Sequence, residues 1–388
     1  MKITEVRSIP INCHGKSRRG IVKLTTDEGY VGYGEVGETA TEQLSTLFIE
    51  GLVYPHWTKI LVGKNPLNIE KILRELWVGN LFAGRTGGAI LSALSGVDFA
   101  LVDLKGKILG IPGYQVVGGG FRHRIRIYQD TAGGATPDDF AKHGAEAVQR
   151  GFSAIKYDLD VGYGEHRVEH GYDPFNEHVT NRELKLMVEK VQAVRDTIGY
   201  DVDVAIDLHG RYNAPSGIRI AKALEHFNLL WLEEPVPPEN IAALREVKNA
   251  TSTPICCGEN LYSKWGFREL LTTQAADIIM PDIAQVGGII EGKRIADLAD
   301  LYYVPVAPHN NCGPMATIAM AHLCAAIPNF LILEWHGARI PDWGTIINWN
   351  GPVISNGYIT LKDTPGLGYS LNEKEILKRN PEAEELFR

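Results

Sequence analysis

The stretch VDVAIDLHGRYNAPSGIRIAKALEHFNLLWLEEP, residues 202–235, contains the unit from which the rest of the fold follows. A short apolar run ends in Asp207, a polar turn passes through Gly210, and an amphipathic segment leads to a second apolar run that ends in two glutamates. Short apolar runs bounded by turns predict buried strands, and apolar spacings of three and four predict a helix. The stretch therefore predicts a β-α-β unit whose strands end in acids.

The same unit repeats along the chain from about Arg124. Eight apolar runs alternate with amphipathic segments: RIRIYQD, SAIKYDLD, VDVAIDLH, LLWLEEP, TPICCGEN, ADIIMPD, VPVAPHN and FLILEWH. Eight strands that alternate with helices are typical of a (β/α)₈ barrel of about 250 residues. We expect the α/β class, with a modified TIM (β/α) barrel as the catalytic domain over residues 125–356.

The first part of the chain has a different pattern. Strand-like alternation turns at Asp27-Glu28-Gly29, and a helical pattern then runs to the stop signals Gly110 and Pro112. This pattern predicts an N-terminal α+β domain over residues 1–124. Strand-and-turn composition reappears over residues 357–388.

Composition and charge exclude several classes of protein. The 388 residues are 44% hydrophobic and 22% charged, which is usual for a globular protein, and the net charge of −8 argues against a nucleic-acid partner. No apolar run is long enough to span a membrane, and the first residues lack the apolar core of a signal peptide. Five cysteines without zinc spacing indicate reduced thiols. We therefore expect a cytoplasmic enzyme with no membrane partner.

Six consecutive predicted strands end in a titratable residue: Asp207, Glu233, Glu259, Asp282, His309 and Glu334. In a barrel these positions meet at the C-terminal mouth, where barrel enzymes keep their active sites. Any one of them would be unremarkable as a solvated strand end. Six in succession indicate a functional site, since charge beside a core is costly unless it is paired or bound to metal.

Three of these residues, Asp207, Glu233 and Glu259, are carboxylates on adjacent strands. They would repel one another without a cation, and a set of oxygen ligands suits Mg²⁺. We predict that they bind this metal. Glu234 alternates to the other side of its strand, where we expect an ion pair with a helix.

The neighbouring strands supply acid and base groups. Asp282 beside His309 would orient the imidazole and strengthen it as a base. His209 lies two residues past Asp207 and shares its face of an extended strand, so it would stand over the substrate. Glu334 would hydrogen-bond a substrate oxygen or an enolate, or be merely polar.

These residues resemble those of the enolase superfamily, mandelate racemase subgroup, over nearly the whole chain. The motifs DLHGRY, WLEEP, GEN, MPDIAQVGG, PHNNCGP and PGLGY occur in the family's order. The resemblance implies that Asp207, Glu233 and Glu259 bind Mg²⁺, that His309 and Asp282 form a catalytic dyad, and that Glu334 assists enolate formation. It also implies that residues 1–124 are a capping domain over a modified barrel and that residues 357–388 return to this capping domain. Since family members often assemble as dimers or octamers, it further implies a homo-oligomer.

Two departures from the family pattern narrow the range of activities that the resemblance implies. Racemases of the family carry K-x-K on the second strand, whereas this chain has Lys156 followed by Asp158, which removes the usual second base. The third strand carries D-x-H, as in the sugar-acid dehydratases that act on galactonate, gluconate or mannonate. The resemblance then implies that His209 is the acid that protonates the leaving hydroxyl.

The predicted reaction is the dehydration of an aldonate or aldarate. His309 would remove the C2 proton and His209 would protonate the C3 hydroxyl as it leaves, giving a 2-keto-3-deoxy acid. Whether His309 also returns a proton at C3 stays open. The alternatives are a racemase or epimerase that uses both histidines, a cycloisomerase of a sugar lactone, and an inactive binding protein, which would be expected to lack part of the constellation.

Substrate selection is predicted to lie outside the barrel mouth, where the resemblance implies that loops carrying His14, Arg19 and Arg85 close over the distal hydroxyls of the substrate. Lys156 would bind the substrate carboxylate or be a spectator, and Arg211 and Tyr212 would position the substrate or belong to a plain loop. The predicted substrate-binding residues are Lys156, Asp158, Arg211, Tyr212, His14, Arg19 and Arg85. Residues 161–180 form an unusually long insertion, which would complete the pocket or make an oligomer contact.

Overall fold

The computed structural model describes residues 1–14, 17–37, 42–52, 56–81, 86–131, 133–160, 175–340 and 342–387. An antiparallel sheet and a group of helices come first, and a parallel barrel with outer helices follows. This is the α/β architecture expected from the sequence. No helix among the described residues is long and apolar enough to cross a membrane.

The N-terminal sheet has the order β1-β2-β3 and turns between the second and third strands at Gly29, whose φ is 82°. Its strands and the helices after it are β1 (Ile3–His14), β2 (Ser17–Thr26), β3 (Val31–Val36), α1 (Glu42–Ile49), α2 (Trp57–Leu61), α3 (Ile69–Gly79), α4 (Gly88–Leu109) and α5 (Gly113–Val117). Helix α4 ends at Gly110 in the left-handed region, which confirms the predicted stop.

Helix α4 packs against β3 at backbone distance. A Cβ atom added to Gly34 would lie 2.1 Å from the carbonyl oxygen of Gly96, and one added to Gly32 would lie 2.3 Å from that of Ala100. The strand therefore requires glycine at both positions. Helix α4 is therefore the buried central helix of the N-terminal domain.

The barrel strands lie where the apolar runs predict them: β4 (Arg124–Thr131), β5 (Ala154–Asp158), β6 (Asp203–Asp207), β7 (Trp231–Glu233), β8 (Ile255–Cys257), β9 (Ile278–Ile279) and β10 (Leu333–Trp335). The helices between them are α6 (Pro137–Gln149), α7 (Asn181–Ile198), α8 (Ala214–Leu224), α9 (Ile241–Asn249), α10 (Ser263–Thr272), α11 (Ile289–Asp300) and α12 (Pro314–Ala326). Strands β4 to β9 pair in parallel in chain order, and β10 pairs with β4.

The seventh run forms only single bridges. Val306 bridges Ile279 on one side and Phe330 on the other, and these bridges close the barrel. Pro305 and Pro308 flank this position and lack the N–H group of a regular ladder, which explains why the strand is so short.

The last part of the chain contacts both the barrel and the N-terminal sheet. Its elements are β11 (Ile347–Asn348), β12 (Tyr358–Thr360), β13 (Ser370–Leu371) and α13 (Glu373–Arg379). Strand β12 pairs antiparallel with β4, and the Asn380 side chain accepts a hydrogen bond from the backbone of Asn12 at 2.6 Å. The tail therefore joins the two domains.

Three buried acids also lie at the seam between the domains. Glu35 accepts hydrogen bonds from backbone amides at the start of α12, and Asp98 accepts them from Ile289 and Ile290 at the start of α11. Asp103 accepts hydrogen bonds from the amides of Tyr33 and Leu367. Each of these acids holds a neighbouring segment through its backbone.

Candidate active site

A cavity of about 320 Å³ opens at the C-terminal mouth of the barrel. It is lined by Asp130, Lys156, Asp158, Asp207, His209, Glu259, Asn260, Tyr262, Gln285, His309, Asn311 and His336. Most of these side chains come from the ends of different strands. Parallel pairing makes this possible, because the register sets Asp158 beside Asp207 and Asp207 beside Glu233.

Three carboxylates from β6, β7 and the turn after β8 converge beneath the cavity. One oxygen each of Asp207, Glu233 and Glu259 lies within 4.8 Å of the other two, and Asp207 and Glu233 are buried. Buried carboxylates so close together need a cation between or beside them. The all-oxygen donor set fits a hard divalent ion such as Mg²⁺.

The ammonium group of Lys156 lies against these acids. Its Nζ is 3.0 Å from Asp207, 2.8 Å from Glu233 and 2.7 Å from Glu334. Burial lowers the pKa of Lys156, but the charges of Glu233 and Glu334 outweigh burial and hold it well above its ordinary value. A positive charge is therefore held among these acids where they line the cavity.

The acids of this cluster differ in their tendency to ionise. Burial raises the pKa of Asp207, but Lys156 and His209 lower it to about 2 overall. Burial and the charge of Asp207 raise the pKa of Glu233 well above its ordinary value. A metal ion would remove this conflict by favouring the ionised form of Glu233.

His309 and Asp282 form the predicted pair. His309 Nδ1 lies 2.8 Å from Asp282 Oδ2, and Asp282 is itself held by the backbone amide of Ala284 and the side-chain amide of Gln285. Burial lowers the pKa of His309, while Glu334 and Glu259 raise it well above its ordinary value. The carboxylate fixes the ring, whose Nε2 lies 3.4 Å from Glu259.

His209 forms a second histidine–aspartate pair, which the sequence reasoning did not predict. Its Nδ1 lies 2.9 Å from Asp160 Oδ1, and Arg211 Nε lies 2.5 Å from the other oxygen of that acid. Burial lowers the pKa of His209, but the hydrogen bond with Asp160 and the charge of Asp207 outweigh it and raise the pKa to about 10. The hydrogen bond at Nδ1 fixes the orientation of the ring.

The backbone geometry at His209 differs from the expectation. Its φ of 49° places it in a turn and not on an extended strand, so the face-sharing argument does not apply. The ring nevertheless lies close to the three carboxylates, with Nε2 3.6 Å from Asp207 Oδ2.

Glu334 lies between His309 and Lys156. It is buried; its Oε2 accepts a hydrogen bond from the backbone amide of Asn310 at 3.0 Å and lies 3.7 Å from His309 Nε2. Burial raises the pKa of Glu334, but the charges of Lys156 and His309 lower it well below its ordinary value.

Two predicted substrate-binding residues lie elsewhere. Tyr212 is fully buried and donates a hydrogen bond to Glu183 at 2.6 Å, so it packs beneath α7 and does not line the cavity. Arg19 is also buried, where it donates to the carbonyl oxygen of Asn311 and lies 3.5 Å from Glu35. Neither side chain lines the described cavity, because both polar groups are engaged in holding the structure together, and their proposed roles stay predictions.

Other predicted contacts have different outcomes. Lys156, Asp158 and His209 line the cavity, whereas Arg211 does not and instead pairs with Asp160, the partner of His209. The His14 side chain, Arg85 and residues 161–174 of the insertion lie outside the described residues.

Glu234 does not make the ion pair with a helix that we expected. It is buried with a φ of 34°, and it accepts hydrogen bonds from the Asn260 side chain at 2.8 Å and from the amide of Gly258. Burial and the charge of Glu259 raise its pKa to about 7. The side chain therefore braces the turn that carries Glu259.

Several residues that line the cavity, and Asp160, which contacts His209 there, were missed by the sequence reasoning. Asp130, Asp160 and His336 follow the same rule as the predicted residues, since they lie at or just beyond the ends of β4, β5 and β10. Comparing the first two strands with the other six would have found both acids. Asn260, Tyr262, Gln285 and Asn311 carry no comparable signal, because neutral side chains are common in loops.

Comparisons with known proteins cover both domains. Residues 4–118 match the mandelate racemase/muconate lactonizing enzyme N-terminal domain, and residues 139–375 match the enolase C-terminal domain-like family. The chain is 39% identical to D-xylonate dehydratase from Haloferax volcanii, covering 100% of this chain and 90% of that protein. It is 32% identical to D-gluconate/D-galactonate dehydratase from Picrophilus torridus, with coverages of 92% and 87%.

One solved structure resembles this chain over almost its whole length. The mandelate racemase/muconate lactonizing enzyme-like protein from Rubrobacter xylanophilus superimposes with a TM-score of 0.90 at 40% identity, covering 97% of each chain. The likeness thus extends over the N-terminal domain, the barrel and the tail.

Proposed function

The chain belongs to the mandelate racemase/muconate lactonizing enzyme family of the enolase superfamily, and on this premise we propose that it is a Mg²⁺-dependent sugar-acid dehydratase. The substrate would be an aldonate, and the product a 2-keto-3-deoxy acid. Relatives named as dehydratases of xylonate, gluconate and galactonate support this choice.

The observation that carries the proposal is the presence of two histidine–aspartate pairs at one cavity. His209 follows the third barrel strand and His309 follows the seventh, so four strand positions separate them in a barrel of eight. Strands half a barrel apart face each other across the mouth. A substrate held between the two rings would meet one histidine on each side.

The two rings would take opposite roles, because a cation held by Glu259, 3.4 Å from His309, would offset the acid charge that raises the pKa of His309. His309, oriented by Asp282, would take the C2 proton at Nε2, while His209, oriented by Asp160, would give a proton from Nε2 to the C3 hydroxyl as it leaves. A β-elimination needs one group of each kind. For both rings, the bond from Nδ1 to the aspartate fixes which nitrogen faces the cavity.

Asp207, Glu233 and Glu259 would hold Mg²⁺, which when bound offsets the charge that develops on the substrate carboxylate. Lys156 would add a second positive charge at that carboxylate. Asp158, which also lines the cavity, would accept a hydrogen bond from a substrate hydroxyl and repel a second carboxylate. This favours an aldonate over an aldarate.

The test is a screen of purified protein with Mg²⁺ against aldonic and aldaric acids, including D-xylonate, D-gluconate and D-galactonate. Formation of 2-keto-3-deoxy acid is followed by semicarbazide absorbance, with EDTA as the control. We expect at least one aldonate to be dehydrated, with turnover lost in EDTA and restored by Mg²⁺.

Two results would count against the proposal. Exchange of the α-proton in D₂O without keto acid would indicate a racemase or epimerase. Turnover that persists in EDTA would contradict the role given to the three carboxylates.

A further inference from the structure

His336 and Asp130 line the cavity but have no part in the elimination described above. Asp130 lies near the end of β4, and His336 directly follows β10, its parallel neighbour. His336 Nε2 lies 3.2 Å from Glu334 Oε1 and 3.6 Å from Asp130 Oδ2. One imidazole therefore stands between two buried carboxylates and joins Asp130 to Glu334.

Glu334 faces the place where negative charge would develop. Its Oε2 lies 3.7 Å from the Nε2 of His309, the atom that would take the C2 proton. An ionised carboxylate there would repel an enolate, whereas a protonated one would donate a hydrogen bond to it. Since Lys156 at 2.7 Å and the amide of Asn310 hold Glu334 ionised at rest, it needs a nearby proton during the reaction.

Among the described residues around Glu334, His336 is the proton donor to which no other role in the reaction has been assigned. Lys156 is shared among three acids, and His309 has to accept the substrate proton. The Nε2 atom of His336 is buried and has no aligned hydrogen bond in the described structure. Hydrogen bonds at active sites often align only when the substrate binds.

The charge around His336 favours the proton-bearing ring. Burial lowers its pKa, but Asp130 and Glu334 raise it above the ordinary value. The charged or titratable groups around the ring are Asp130, Glu334, Lys156 and His309. The His309 ring centroid is 6.1 Å away, close enough for the two histidines to act around one acid.

We propose that His336, held by Asp130, is a positioning residue that shares its Nε2 proton with Glu334 while the enolate forms. The N–H bond at Nε2 breaks as an O–H bond forms at Glu334 Oε1. The proton returns to Nε2 when loss of the C3 hydroxyl discharges the enolate. His336 thus acts through Glu334, and the inference rests on the proposed dehydration for the identity of that enolate.

The kinetic test compares His336→Gln with Asp130→Asn, using the aldonate found by the screen. Glutamine can place an amide nitrogen near the position of Nε2, so it can donate a hydrogen bond but cannot give up a proton. For His336→Gln we expect kcat to fall about 10- to 100-fold, with KM changed less than about threefold. The isotope effect with C2-deuterated substrate should increase, because proton abstraction becomes slower.

A second variant and a control variant test whether the effect of His336→Gln is specific to this site. Asp130→Asn should lower kcat in the same direction but less, since it keeps the ring and removes only its charged partner. His226→Gln, in the turn after α8, measures the effect of losing a histidine that does not line the cavity. Wild-type kcat in His336→Gln would overturn the proposal, as would a raised KM with unchanged kcat, which would indicate a direct substrate contact.

A measurement without substrate separates this inference from the proposed function. In Mg²⁺-treated protein labelled with ¹⁵N-histidine, the His336 signals are assigned by their loss in His336→Gln. We expect both ring nitrogens of His336 to carry protons at pH 7.5. A neutral ring would overturn the proposal even if every aldonate were dehydrated, and a charged ring would support it even if the screen found no substrate.

Discussion

Buried acids occur both at the barrel mouth and at the seam between the two domains, but their partners differ. At the seam, Glu35 accepts hydrogen bonds from the amides of Gly313, Met315 and Ala316, at 2.6, 3.2 and 3.1 Å. These amides begin helix α12, whose N-terminal end favours a negative charge. Burial raises the pKa of Glu35 above its ordinary value, while Arg19 and these amides, whose positions the fold fixes, partly offset burial.

At the mouth, the acids face each other. Asp207 and Glu233 share the ammonium group of Lys156, and Glu259 lies close to both. Their mutual repulsion is retained in the folded protein, as expected where a site is built for an ion. Burial alone therefore does not distinguish structural from functional carboxylates, whereas the identity of their partners does.

Two buried histidines show the same contrast. His322 in helix α12 accepts a hydrogen bond from the Tyr114 amide at Nδ1 and lies 3.2 Å from the Leu367 carbonyl at Nε2. The neutral ring satisfies both contacts, and burial lowers its pKa to about 4. His309 faces acids instead, and these raise its pKa.

The largest effect is expected for His309→Asn at the mouth. Removing the proposed base should lower kcat about 10³-fold or more, because general base catalysis typically contributes 10²- to 10⁴-fold. The melting temperature should stay close to that of the wild type. Steady-state kinetics and thermal unfolding measure both quantities, and unchanged turnover would refute the assignment of His309.

At the seam, Glu35→Gln should instead destabilise the fold. The amide would direct its NH₂ group toward backbone donors and leave the buried Arg19 without its counter-charge. We expect a loss of about 3–5 kcal/mol in the free energy of unfolding, measured with urea, as for other broken buried pairs. The folded fraction should keep its turnover.

The matched variant at the mouth is Glu233→Gln. Because burial and Asp207 oppose the ionisation of Glu233, the neutral side chain should raise the melting temperature of EDTA-treated protein. Stabilisation by added Mg²⁺, visible in the wild type, should disappear. If both variants changed stability in the same direction, the distinction between mouth and seam would fail.

The lowered pKa of His322 predicts that the free energy of unfolding depends on pH. Its pKa is about 4 in the folded protein and about 6.5 in an unfolded chain, so below pH 6.5 the unfolded state takes up the proton first. Stability should therefore fall by about 3 kcal/mol between pH 6.5 and pH 4 from this group alone. Urea unfolding of His322→Gln across this range should give a flatter curve, and an identical slope would contradict the assignment.

A smaller effect is expected for Asp160→Asn. The loss of the carboxylate that orients His209 should lower kcat about 10- to 100-fold. Exchange of the α-proton in D₂O should persist, because it requires only the His309 side of the site. Equal loss of exchange and elimination would show that Asp160 serves the whole site and not His209 in particular.

Much of the fold could be predicted from the sequence because barrel strands are short and strongly apolar. All eight runs from Arg124 to His336 fall at barrel positions, although the seventh is reduced to bridges at Val306. Position at a strand end also predicted the convergence of Asp207, Glu233 and Glu259. The signal is strong there because a charged residue directly after a buried run is uncommon.

What the sequence could not determine is which polar groups are already engaged. Tyr212 and Arg19 have suitable chemistry for a substrate, but Glu183 and the carbonyl oxygen of Asn311 engage them. Asp160 reaches His209 from 49 residues away, and His336 lies between acids of two neighbouring strands. These are long-range contacts with no periodic signature.

The sequence by itself thus determined the succession of strands and helices, and the acids and histidines at the ends of the strands. Both follow from local rules, namely the period of apolar residues and the cost of burying charge. Only the tertiary structure decided the partners of each buried charge, because these depend on which distant segments the closed barrel brings within a few ångströms. Those partners separate the acids that hold the domains together from those proposed to bind an ion and face a substrate.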